Sequence, residues 1–193
     1  MNFDCSADII LQDERTLLRP LTAADYPHLL PIALSDEKLL QYSPMPIYSE
    51  ELLKQYIETA IIERQKQQRY TFIIFDKRAA QYAGSTSFLN ISNKDQRLEI
   101  GATWLGKPFQ QTGLNRHNKY LMLQYAFEQL DFERVEFKTD ERNTASRTAI
   151  EKIGGQYEGI LRSHTLMYDG FRRNTVYYSI LRDEWPAIKP LLR

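Results

Sequence analysis

The chain reads as an α/β (α+β) fold built on one central sheet, mixed but mostly antiparallel and twisted, of about seven strands flanked by helices. Three observations predict it. β-rich runs with no helix between them fall at residues 70–76, 82–89 and 98–105, and strands joined only by turns pair antiparallel. A long helical period from Leu114 through Leu121, Met122, Tyr125, Ala126 and Leu130 separates the run at 98–105 from another at 134–139. Strand, helix, strand is a crossover unit that sets its two strands parallel and adjacent. The last two runs, 157–167 and 172–181, flank Tyr168-Asp169-Gly170, where Asp-Gly marks a hairpin turn.

In order, Arg15-Thr16-Leu17-Leu18-Arg19-Pro20-Leu21 is a short first strand closed by proline, and Thr22 to Asp25 opens a helix reaching about residue 34. Gln41-Tyr42-Ser43-Pro44-Met45-Pro46 is a stiff connector, equally suited to a pocket wall or a solvated linker. Ser49 starts a second helix striped by Leu52, Leu53, Tyr56, Ile57, Ala60 and Ile61, and the polar run 63–69 reads as its solvated end. Lys77-Arg78-Ala79-Ala80 turns the first hairpin, and a loop over 90–96 returns into the strand at 98–105. In that strand Gly101 marks a bulge or a close backbone approach, and Pro108 ends the ladder. A short helix over 143–153 stops at Gly154-Gly155.

With 193 residues the chain can bury one sizeable core, so one domain over 1–193 is expected. Lys plus Arg balance Asp plus Glu at 25 each, which leaves no basic field to draw nucleic acid or a membrane surface. The opening residues carry acids and no basic-then-apolar pattern, so a cytoplasmic protein without a spanning segment is expected. A lone Cys5 excludes an internal disulfide and a thiolate cluster, and His28, His117 and His164 are too scattered for metal-ligand spacing, so no metal is expected; His117 reads as exposed.

The most informative stretch is the one in which a strand breaks into Gln110-Gln111-Thr112-Gly113-Leu114-Asn115 and then a helix. The first N–H groups of a helix lack intrahelical acceptors and sit at the positive end of its dipole, a ready cradle for a phosphate that Gly113 would let approach closely. A glycine at such a place also serves the turn alone. A phosphate-binding loop of the nucleotide-kinase kind needs Gly-Lys-Ser/Thr, and Gly113 is followed by Leu114.

The order of elements, together with Glu99-Ile100-Gly101, Trp104-Leu105, Gln110-x-x-Gly113-x-Asn115, Asn143-x-x-Ser146 and Gly159-x-Leu161-Arg162-x-His164, resembles the GNAT acyltransferases, in particular the branch of ribosomal-protein N-terminal acetyltransferases. The resemblance spans residues 15–185 or so and implies the GNAT fold and acetyl-CoA as acyl donor. It implies the pyrophosphate on the backbone of Gln110, Gln111, Thr112, Gly113, Leu114 and Asn115, and the pantetheine arm along Trp104 and Leu105. Asn115 departs from the Gly or Ala usual there. Asn143 matches a residue that contacts the pantetheine or phosphate region, and equally suits a helix N-cap.

Acetyl transfer to an amine requires a neutral nitrogen, a stabilised oxyanion and a protonated leaving thiolate. Glu99 stands where the branch carries a carboxylate and is the candidate base. A backbone N–H near Thr103 or Trp104 is the candidate oxyanion donor. Many members carry a tyrosine acid seven residues after the Asn, and here that residue is Ile150, which leaves Ser146 as the candidate near the sulfur and Tyr157 behind it. Tyr42 and His164 are candidate acceptor-binding residues, with Trp104 and Tyr168 as further aromatic wall. The expectation is an N-acetyltransferase acting on a protein N-terminus or small amine, with a homodimer as the assembly left open. A CoA-binding regulatory module of low turnover is the alternative, and a nucleic-acid partner is disfavoured by the zero net charge.

Overall fold

The structure, a computed structural model, describes residues 2–192. Eight strands, β1 (Leu11–Gln12), β2 (Thr16–Pro20), β3 (Arg69–Asp76), β4 (Gln81–Ser92), β5 (Arg97–Leu105), β6 (Arg134–Asp140), β7 (Gln156–Leu166) and β8 (Arg172–Leu181), make one sheet in the order β1-β2-β3-β4-β5-β6-β8-β7. Only β5 and β6 run parallel, as the crossover required. The expectation of about seven strands misses β1, whose two residues are too few to show an alternation.

Helices α1 (Tyr26–Leu34) and α2 (Glu50–Gln65) cover one face; α3 (Leu114–Gln124), α4 (Thr144–Lys152) and α5 (Trp185–Leu192) cover the other. The helix starts follow local chemistry. Ser49 Oγ accepts from the Leu52 N–H at 3.2 Å, and Asn143 Oδ1 from the Ser146 N–H at 3.0 Å, satisfying donors that have no intrahelical partner. Leu29 and Leu53 on the first face and Leu114, Met122 and Leu123 on the second are fully enclosed, each worth about 1.5–3 kcal/mol of apolar burial.

Two local expectations need correction, and one helix is unforeseen. The loop expected over 90–96 begins later, because β4 continues to Ser92. Arg69 is no solvated helix end: it opens β3, is buried, and donates to Ser87 Oγ and Tyr56 Oη at 3.1 Å each. The unforeseen helix is α5, whose Trp185 and Ile188 close the core over α3.

The bulge expected near Gly101 is present, one residue along. Ser87 faces Gly101 and Ser85 faces Trp104, so β5 spends three steps against two of β4, and the left-handed residue is Ala102 at φ 47°. The extra residue restarts the alternation of faces. Trp104 is thereby returned to the α2 side with Glu99, and Thr103 turns to α3.

Candidate active site

The parallel pairing of β5 and β6 lasts only from Arg97 opposite Arg134 to Glu99 opposite Glu136. Beyond it the strands separate, while β6 stays paired to β8 along its length. The wedge opens a cavity of about 590 Å³ whose walls include residues 99–104 of β5 and 137–139 of β6.

Glu99 sits at the closed end of the wedge, buried, with its carboxylate 3.0 Å from Lys138 Nζ and 2.7 Å from Asn90 Nδ2. Burial alone would depress the Lys138 pKa, but the attraction and hydrogen bond of Glu99 hold it above the ordinary lysine value. Gly101 makes room for this arrangement, since a Cβ there would come within 2.9 Å of Glu99 Oε1.

On the other face α3 begins at Gly113, held at φ 87°, a left-handed conformation that glycine adopts without strain. The N–H groups of Gln111, Thr112, Gly113 and Asn115 have no acceptor among the described residues. In the same first turn, Asn115 Oδ1 is buried without a partner among the described residues, and Asn115 lines the cavity. Lys119 follows four residues later, buried, with Nζ 2.8 Å from Thr103 Oγ1. Its loss of hydration pulls the ammonium pKa down to about 7. Unmet donors at the helix start and an unmet acceptor inside the wedge fit a ligand with an anionic head and an amide-bearing arm, as acetyl-CoA has.

The structure gathers Glu99, Trp104, Asn115, Asn143, Ser146, Tyr42 and His164 around the cavity. It does not bring Gln110, Gln111, Thr112, Gly113, Leu114 or Leu105 to its wall. Leu105 and Leu114 point into the core, Gln110 Nε2 donates to the Leu105 carbonyl at 2.8 Å, and Thr112 Oγ1 donates to the Phe109 carbonyl at 2.9 Å. The backbone of this loop and the exposed side chain of Gln111 are free for a ligand. Asn143 is the N-cap of α4, and Ser146 Oγ has no partner among the described residues. Ile150 also lines the wall. Tyr157 is exposed and packs on Tyr178. At the far end His164 Nδ1 lies 3.1 Å from Thr175 Oγ1, and Arg173 donates to the Tyr42 carbonyl at 2.8 Å.

Lys119, Lys138, Arg173, Arg69 and Tyr56 also reach this cavity, and sequence reasoning passed over all five. For Lys119 a signal existed, a lysine three residues before Met122 on the inward stripe of an amphipathic helix. The expectations for His117 also change. It is half-buried, not exposed, with Nδ1 2.7 Å from Asp13 Oδ2, and with Glu14 it brings three ligand atoms within 4.8 Å of one another. The sequence spacing hid that cluster, because Asp13 arrives from β1's side of the sheet. Among the described residues no helix is long and apolar enough to cross a membrane.

Residues 15–156 match the family model described as an acetyltransferase (GNAT) domain. The chain is 34% identical over 106 residues to the "Putative ribosomal N-acetyltransferase YdaF" of Bacillus subtilis (strain 168), a match covering 55% of this chain and only 57% of that relative. Among solved structures, a "putative acetyltransferase" from T. thermophilus superposes with a TM-score of 0.86 at 34% identity, covering 95% of this chain and 94% of that one. A GCN5-related N-acetyltransferase from Brucella melitensis gives 0.87 at 25% identity, covering 94% and 82%.

Proposed function

Because the chain belongs to the family of GNAT acetyltransferase domains, we propose that it transfers an acetyl group from acetyl-CoA directly to a primary amine, working as one domain over residues 1–193. The wedge carries this reading: one cavity holds the carboxylate of Glu99 and, across the sheet, Asn115 from the helix-start donors of α3. Similarity to the Bacillus relative named for ribosomal N-acetylation makes a protein N-terminus one acceptor class and a small amine the other.

In this reading the N–H groups at residues 111–115 hold the pyrophosphate, and Asn115 Oδ1 accepts from an amide of the pantetheine arm. Glu99, aimed by Lys138 and Asn90, receives the proton of the acceptor ammonium directly or through water. The backbone at the 102–104 bulge, out of register with β4, donates to the oxygen that becomes negative in the tetrahedral intermediate. Ser146 Oγ relays to the departing sulfur, directly or through water, the proton that the acceptor nitrogen loses as it becomes an amide. Tyr42 and His164 wall the acceptor.

Calorimetric titration of the protein with acetyl-CoA, with ATP and NAD as controls, is expected to show binding of acetyl-CoA alone, followed by amine-dependent thiol release. No binding would remove the cradle assignment. Binding without release on any amine would favour the regulatory module, the reading that Ile150 supports by standing in place of the family's acid. Glu99→Gln is expected to lower kcat at least tenfold and to move its pH dependence, with acetyl-CoA affinity within twofold. Unchanged turnover would take Glu99 out of the mechanism.

A further inference from the structure

Six charged side chains face the cavity: Glu63, Arg69, Glu99, Lys119, Lys138 and Arg173. Four of them cancel in pairs, Arg69 with Glu63 at 3.4 Å and Lys138 with Glu99 at 3.0 Å. Lys119 is the fifth, and its burial brings it near neutrality at physiological pH. Arg173 is left over. It donates from Nη1 to the Tyr42 carbonyl at 2.8 Å and from Nε to Thr175 Oγ1 at 3.3 Å, and no carboxylate among the described residues lies within ion-pair distance of it.

The nearest acid offers no relief. Asp140 attracts Arg173 from a distance, but its two oxygens are taken by Arg142, at 3.0 Å from Nε and 2.7 Å from Nη2. Arg142 is itself stacked on Phe171 at 3.9 Å, which fixes that pair outside the cavity. Burial outweighs these distant attractions and depresses the Arg173 pKa, as befits a guanidinium whose charge is not locally compensated. A half-buried cation of fixed geometry with open donors is costly unless something anionic completes it, and a guanidinium fork matches a carboxylate.

We infer that the acceptor carries a carboxylate a few bonds from its amine, and that Arg173 is the residue that selects it. The two neutral hydrogen bonds to Tyr42 and Thr175 fix the fork at the acceptor end of the cavity, beside His164, on the opposite side of the wedge from the donors of α3. The carboxylate would be the α-carboxylate of a free amino acid or the side chain of an acidic residue early in a peptide. The inference rests on the transferase reading for the word acceptor, but binding tests it independently of turnover.

The test titrates the full chain, saturated with CoA, with alanine against alaninamide and with the dipeptide amide Ala-Asp against Ala-Asn. The acid is expected to bind at least tenfold more tightly than its amide in one arm, which also names the source. Arg173→Gln is expected to reduce that preference to within twofold, and Arg173→Lys to keep part of it, with CoA affinity reporting that both variants are folded. Equal binding of acid and amide in both arms, or a preference that survives Arg173→Gln, overturns the inference. Selective binding in this titration, together with no amine-dependent thiol release when acetyl-CoA replaces CoA, supports it while striking down the transferase reading.

Discussion

Lys119→Met is expected to stabilise the protein by roughly 4 kcal/mol at pH 7, an unusual outcome for a substitution in a packed interior. Lys119 has no carboxylate partner and one neutral hydrogen bond, to Thr103 Oγ1, and its pKa falls from 10.5 to about 7. A lysine depressed in the folded state releases its proton on folding, so the unfolded chain binds more protons between the two values and stability rises with pH there. Below pH 7 both states are charged and the full penalty is present. Between pH 7 and 9 wild-type stability is expected to climb by about 2 kcal/mol at the one-unit equivalence of 1.36 kcal/mol. Above pH 9 a second group works the other way: burial raises the Cys5 thiol to about 11, so its stabilising contribution fades as pH rises through that range. Met fills a similar volume, and Thr103 keeps its bond to Thr86 Oγ1 at 2.7 Å. Urea unfolding of both proteins from pH 6 to 9 decides it; parallel curves would mean that Lys119 is hydrated in solution.

Gly113→Glu is expected to weaken acetyl-CoA binding at least a hundredfold. At φ 87° any side chain there costs about 1–3 kcal/mol of backbone strain, yet a Cβ would meet nothing within 4 Å, so the variant should fold with a modest loss of melting temperature. The added carboxylate would lie among the unmet N–H groups at the start of α3, satisfy them itself and repel a pyrophosphate. Gly113→Ala separates the two effects, sharing the strain without the charge, and should bind within a few-fold of wild type. Retained affinity in Gly113→Glu would show that residues 110–115 are only a turn.

The sequence alone determined what depends on neighbours a few positions away. The 3.6-residue period after Leu114, the alternation at 70–89, the Asp169-Gly170 turn and the caps at Ser49, Gly113 and Asn143 are local codes, and together they gave the crossover and hence the one parallel pair. Glu99 was legible because it stands on a strand that the family motifs mark. Tertiary structure decided the rest, because it depends on residues that meet only after folding. A single extra residue at Ala102 reverses the faces of Thr103 and Trp104, and no alternation pattern reveals which position of a strand will bulge. Lys119 loses its hydration against β5, whose Thr103 lies 16 positions away in the chain. Arg173 is uncompensated because Arg142 reaches Asp140 first; a charge count of zero cannot show which cation is left without a partner.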